Sequence, residues 1–259
     1  MIDKLKAIGL LAVADEFEDL VAHATKNRLG SVEILERICD LELRERTRKS
    51  LERRLSRSKI GHFKHMSEFD WAWPKKYDRT LIESCLNLDF LTPARNVVLV
   101  APHGLGKTMI AKNIAHNAVI KGYTVSFLTA SQLLLDLGSR DSARALENRL
   151  KYYAKQGLLV LDELGYLAYD NHAADLLFQL VNRRYEKKSI VITTNLAFSD
   201  WTSIFPSATS ATALIDRFVH HADIIPLEGT SFRMRDAQED TVKRRIQRRS
   251  TGPQKRAST

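Results

Sequence analysis

The chain has 259 residues, 44% of them hydrophobic, and a formal net charge of +9. That is enough apolar material for one sizeable core beside a smaller one. No apolar run approaches the roughly 18 residues of a transmembrane helix, and no long apolar core follows Met1-Ile2-Asp3-Lys4-Leu5-Lys6, so neither a membrane-spanning helix nor a secretory signal is expected.

The first sixty residues read as helical. Leu5, Ile8, Leu11 and Leu20 lie near a 3.6-residue spacing, and Ile34, Leu35, Ile38, Leu41 and Leu43 repeat it after Gly30-Ser31, with Ser31 as an N-cap. From Arg44 to Lys59 the second helix carries a net charge of +6. The segment from Lys243 to Thr259 carries +7, which leaves the rest of the chain at −4. Localised cationic segments on a slightly acidic body are the footprint of a nucleic-acid partner, although a solvated helix face and a solvated tail would look the same. Leu51 and Leu55 keep an apolar row, so Arg46, Lys49, Arg53, Arg54 and Arg57 are the residues expected to face DNA. Cys39 and Cys85 lack metal-ligand spacing and read as reduced, mostly buried thiols of a cytoplasmic protein.

Residues 61–78 form an aromatic linker, with His62, Phe63, Phe69, Trp71, Trp73 and Pro74. Such residues either stack on bases or anchor the linker onto the domain that follows. Then Asn96-Val97-Val98-Leu99-Val100 reads as a strand, and the stretch from Met109 to Lys121 as a helix. Between them stands Ala101-Pro102-His103-Gly104-Leu105-Gly106-Lys107-Thr108, the context of a phosphate-binding P-loop. Inward backbone N–H groups and a helix N-terminus make an anion cradle. The residues from Pro102 to Met109 are therefore expected to hold ATP, with Lys107 on the β- and γ-phosphates and the Thr108 hydroxyl on Mg²⁺. Ala101 stands where a first Gly is usual, which requires a backbone there that accepts a Cβ.

Beyond the loop, strands are expected at 124–128, 158–161, 190–194 and 224–227. Helical stretches are expected at 131–155, 172–187 and 211–220. The alternation implies a parallel sheet flanked by helices. Asp162-Glu163 closes the second buried strand after the loop. Asp162 would share Mg²⁺ with Thr108, and Glu163 would deprotonate the attacking water. Asn195, at the end of the next apolar strand, would position that water, or else would cap a turn. Arg217 would act as an arginine finger or form an internal salt bridge, and Arg233 would contact phosphate. His220-His221 reads as a partly buried pair rather than a ligand site.

The succession Ala-Pro-His-Gly-Leu-Gly-Lys-Thr, Leu-Leu-Val-Leu-Asp-Glu-Leu-Gly-Tyr-Leu, Thr-Thr-Asn-Leu-Ala-Phe-Ser-Asp-Trp, Ala-Thr-Ala-Leu-Ile-Asp-Arg-Phe-Val-His-His and Glu-Gly-Thr-Ser-Phe-Arg resembles the IstB-like transposition helper ATPases. These are AAA+ relatives of the DnaC helicase loader and of DnaA, and the resemblance runs from Leu5 to Arg235. It implies an AAA+ P-loop sheet with a small N-terminal helical domain and a minimal or absent C-terminal lid. The corresponding domains are 1–60, the linker 61–78, an ATPase domain 79–237 and a basic tail 238–259. It further implies an ATPase that self-associates on duplex DNA, deforms it and recruits or stimulates the transposase IstA. Lys107, Thr108, Asp162, Glu163 and Asn195 would then act in one subunit and Arg217 on its neighbour. A DnaC-like loader of a replicative helicase is the alternative that shares the same nucleotide chemistry.

Overall fold

The structure is a computed structural model that describes residues 1–166 and 168–232, without the side chain of Ser210. Arg233 and the basic segment from Lys243 lie outside the described residues. The chain divides into two compact units, Met1–Arg57 and Ser58–Thr259.

The first unit is helical: α1 (Ile2–Ala7), α2 (Leu11–Asp15), α3 (Phe17–Asn27) and α4, which spans Ser31–Ser58 and so carries the boundary. The periodicity before Gly30 suggests one continuous helix, but the chain breaks at Gly9, whose φ of 82° leaves the helical region, and again at Glu16. Leu35 and Leu43 belong to the expected apolar row of α4 yet are exposed. A charged residue does the joining instead. Glu42 is buried, accepts from the Ala12 N–H at 3.0 Å and from Arg46 Nε at 2.8 Å, and these donors hold its carboxyl below the ordinary range.

The second unit holds α5 (Arg79–Asn87), β1 (Asn96–Val100), α6 (Lys107–Ile120), β2 (Val125–Thr129), α7 (Ala130–Gly138), α8 (Ala143–Lys155), β3 (Leu158–Leu164), α9 (Asn171–Arg184), β4 (Ser189–Thr194), α10 (Ala208–Val219) and β5 (Ala222–Pro226). Its five strands are all parallel, in the order β2-β3-β4-β1-β5. All but β5 are buried almost throughout, as a parallel sheet covered by helices requires. The expected helical stretch 131–155 is two helices. Ser139-Arg140-Asp141-Ser142 interrupts it, and the Ser142 hydroxyl caps α8 by accepting from the Ala145 N–H at 3.2 Å. Helix α5, which the apolar spacing did not announce, starts where Asp78 accepts from the Leu81 N–H at 2.9 Å.

Helices α7, α9 and α10 cover one face of the sheet through Leu133, Leu137, Leu177, Leu180, Leu214 and Phe218, with Trp201 fully enclosed among them. Each such side chain contributes about 1.5–3 kcal/mol of transfer free energy. Arg184 at the end of α9 is also fully buried. It donates to the carbonyls of Tyr153 at 2.8 Å, Gln156 at 2.9 Å and Ser189 at 2.6 Å, tying the end of α8 to the start of β4, and burial pushes its guanidinium down to about 9. Of the two cysteines only Cys85 is buried, with its thiol pushed up to about 12 by burial. Cys39 is exposed on α4, because the face it occupies is not the one that packs.

Candidate nucleotide site

The parallel sheet brings the C-terminal ends of β1, β3 and β4 together at one edge of α6. The turn Ala101–Gly106 joins β1 to α6. Gly104 and Gly106 have φ of 82° and 88°, a region costly to any residue with a Cβ. Ala101 does not: it is buried, outside the positive-φ set, and its N–H donates to the Thr194 carbonyl at 3.1 Å. The missing first glycine therefore costs the loop no backbone strain. With Gly106 as its N-cap, α6 begins at Lys107, two residues before the expected helix, so Lys107 and Thr108 stand in its first turn. The ammonium of Lys107 folds back onto the carbonyls of Ala101 at 2.6 Å and Pro102 at 2.9 Å.

Asp162, on β3, is buried and accepts from the Thr108 hydroxyl at 3.1 Å. The Thr193 hydroxyl donates to the same Asp162 oxygen and accepts from the Glu163 N–H at 2.9 Å. Between Leu161 and Leu164 the β3–β4 register shifts, and Glu163 takes a φ of 59°. This bulge turns an exposed Glu163 side chain out of the sheet toward the loop's pocket, while Asp162 stays inside. The Thr108 hydroxyl and the Asp162 carboxylate form a pair of hard oxygen donors of the kind magnesium takes.

A cavity of about 450 Å³ opens over the loop, lined by residues that include Lys107, Thr108, Glu163 and Asn195. His103, Gly104, Leu105, Gly106 and Met109 line it too, whereas Pro102 contributes only its carbonyl to Lys107. Its aromatic wall comes from the linker: Phe63, Phe69 and Trp73, with Phe232 crossing Trp73 edge-on at 5.8 Å. The linker is anchored on the domain. Met66 N–H donates to Asn113 Oδ1 at 3.1 Å, Asn113 Nδ2 donates to the Lys64 carbonyl at 2.9 Å, and Trp73 Nε1 donates to the Thr230 carbonyl at 2.8 Å. The sequence marked these aromatics as an irregular linker where the helical pattern breaks. Thr193 and Asn113 were missed, since single polar residues in an apolar strand and a helix carry no signal until their partners are known.

The other expected site residues fall elsewhere. Arg217 is not among the residues lining this cavity. Its guanidinium lies 4.4 Å from the centre of the Tyr185 ring, a cation–π contact rather than the salt bridge that its sequence neighbour Asp216 suggested. On α4, Arg46 pairs with Glu42 and donates to the Gly9 carbonyl at 3.0 Å, Lys49 pairs with Glu45 at 3.2 Å, and Arg54 donates to the Ser50 hydroxyl at 2.7 Å. Arg53 and Arg57 are exposed. His220 and His221 are exposed as well, against the expectation of a partly buried pair, because they stand in the turn after α10 rather than on its packed face.

A P-loop at the end of β1, an acidic pair on β3 and a five-stranded parallel sheet define a P-loop protein of AAA+ fold. Solved structures agree on that fold. DnaI aligns with a TM-score of 0.52 and 21% identity over 65% of this chain and 93% of its own. Replication initiator DnaA, bound to AMPPCP and single-stranded DNA, aligns with a TM-score of 0.51 and 16% identity over 63% and 52%. Residues 3–240 match the family described as IstB-like ATP binding protein, and the chain belongs to that family. Its relatives include the ATP-binding proteins of insertion sequence IS5376 from Geobacillus stearothermophilus, 32% identical over 93% of this chain and 96% of the relative, and of IS232 from Bacillus thuringiensis subsp. berliner, 34% identical over 90% and 93%. That of IS21 from Pseudomonas aeruginosa is 33% identical over 87% and 85%. No helix among the described residues is long and apolar enough to cross a membrane.

Proposed function

We propose that this chain is an ATP-hydrolysing helper of DNA transposition that assembles on duplex DNA and serves the transposase of its element. The observation that carries the reading is the convergence of Lys107, Thr108, Glu163 and Asn195 on one cavity, in a chain of the insertion-sequence ATP-binding family. Family membership favours this over a helicase loader, whose likeness is one of fold.

ATP would lie with its phosphates in the cradle of 102–108 and its base against the aromatic wall of the linker. Lys107 would exchange the carbonyls of Ala101 and Pro102 for phosphate oxygens. Thr108 and Asp162 would hold magnesium, which when bound neutralises charge developing on the phosphates. Glu163 would accept the proton of the attacking water, and Asn195 would orient that water from the end of β4. Arg233 would contact phosphate from its own subunit. Hydrolysis stimulated by duplex DNA and lost in Lys107→Ala is the expected result; ATP turnover that ignores DNA, with no ATP-dependent assembly on it, overturns the reading.

Arg217 would complete the site of a neighbouring copy, in keeping with its distance from the loop's own lining. Arg217→Ala and Lys107→Ala should each be inactive alone. An equimolar mixture should regain up to about a quarter of wild-type turnover, because an intact loop then meets an intact arginine at some interfaces. No recovery on mixing rejects the action between subunits.

DNA contact is assigned to α4 among Arg46, Lys49, Arg53, Arg54 and Arg57, with the exposed Arg53 and Arg57 leading, since Arg46 and Lys49 are held by Glu42 and Glu45. Neutralising Arg53 and Arg57 together should weaken binding for every sequence and lower the slope of log K against log salt by about 2. An unchanged slope excludes these contacts.

A further inference from the structure

Glu186, His220 and His221 form a cluster away from the nucleotide cavity. Their ligand atoms all lie within 4.8 Å of one another. His221 Nε2 is 3.3 Å and His220 Nδ1 is 4.0 Å from the same Glu186 oxygen, and the two imidazole centroids are 4.0 Å apart. A surface ion pair needs no second imidazole, and a lone pair of adjacent histidines needs no carboxylate between them.

The backbone that carries the cluster is held from both sides. The His221 carbonyl accepts from the Asn96 N–H at 2.8 Å, and Asn96 Nδ2 donates to the Phe218 carbonyl at 3.2 Å, so the turn after α10 is fastened to β1. Glu186 follows the buried Arg184 by two residues and has a φ of 56°, in a turn closed by the Lys187 and Lys188 N–H groups on the Arg184 carbonyl at 2.9 Å. The ligands thus converge on a pre-built frame rather than on mobile loops.

We propose that Glu186, His220 and His221 are a surface site for a borderline divalent cation, best matched by Zn²⁺, with water completing the coordination. Two imidazoles and one carboxylate are a set that zinc takes readily and that magnesium and calcium, which prefer oxygen, do not. Tetrahedral bonds of about 2.0–2.1 Å put ligand atoms roughly 3.3 Å apart, so the 3.3 Å pair already fits and the 4.0 Å pair needs a small rotation of His220. The cation competes for His220 Nδ1 with the Tyr185 hydroxyl, now 2.6 Å away. Tyr185 also carries the guanidinium of Arg217 on its ring, so occupancy adds positive charge beside Arg217.

The test is a Zn²⁺ titration of the full chain against a chromophoric chelator, in millimolar Mg²⁺ to saturate oxygen-only sites and in a Cys39→Ser background to remove the exposed thiol. Co²⁺ serves as the absorbing probe of geometry. One equivalent of Zn²⁺ per chain is expected, with affinity reduced about tenfold or more in both His221→Ala and the near-isosteric Glu186→Gln. Circular dichroism identifies any variant that fails to fold, in which case the other decides. Absence of a stoichiometric site, or a site of unchanged affinity in folded Glu186→Gln or His221→Ala, overturns the proposal.

Discussion

Glu163→Gln should still bind ATP but hydrolyse it about 10²- to 10⁴-fold more slowly, the range a positioned general base contributes. The substitution keeps size and polarity and removes only the group that accepts a proton. Backbone geometry should survive it, because the bulge is held by the Glu163 N–H donating to Thr193 and by the register shift into Leu164, neither of which uses the side chain. Lys107→Ala is the contrast: it removes the cation from the cradle and should lose binding and turnover together. Equilibrium binding of a fluorescent ATP analogue, read beside phosphate release, separates the two. An equal loss of affinity and rate in Glu163→Gln would assign the residue to binding, and unchanged hydrolysis would remove it from the chemistry.

Gly104→Ala should cripple the cradle while leaving the sheet folded. A Cβ at φ 82° costs about 1–2 kcal/mol by itself. Here it would also stand 2.2 Å from the Ser231 hydroxyl oxygen and 3.3 Å from the Ser231 Cα, so side chain and backbone of that segment must both move. That shift strains the bond in which the Phe232 N–H donates to the Gly104 carbonyl at 3.0 Å. The expected result is ATP affinity down tenfold or more with Tm lowered by only a few degrees, since 1 kcal/mol is worth about 2–4 °C in a unit of this size. Adding Ser231→Gly should recover part of the affinity, because it relieves the contact but not the φ. Ala101→Gly, at a position with no positive φ, should change affinity by less than about twofold. Wild-type affinity in Gly104→Ala would mean that the loop does not carry the phosphates.

How far the sequence could be read depended on the kind of signal. Four of the five strands lie within a residue or two of their apolar runs; for β1 and β4 this is because a strand buried on both faces needs a near-continuous run of Val, Ile and Leu, whereas the less buried β5 is displaced the most. Strand β3 runs three residues beyond its run, through Asp162 and Glu163, because a bulge continues pairing past the polar pair. The break between α7 and α8 was written in Ser-Arg-Asp-Ser, but the leucine spacing on either side masked it. In the first unit, periodicity overstated the apolar row: Glu42 holds α4 to Ala12 while Leu35 and Leu43 face solvent.

The sequence by itself determined the class of the molecule: a P-loop, an acidic pair after a buried strand and the alternation of apolar strands with helices are local patterns, set by chain spacing and hydrophobic period. Only the tertiary structure decided what those patterns touch. It showed that Ala101 needs no glycine, that Thr193 couples Asp162 to the Glu163 backbone across two strands, and that the aromatic linker walls the cavity. It also set Arg217 on Tyr185 and His220 and His221 beside Glu186. Each depends on contacts between residues some thirty or more positions apart, whose partners are chosen by the packing of the whole sheet and its helices, and that choice leaves no trace in the spacing of neighbours along the chain.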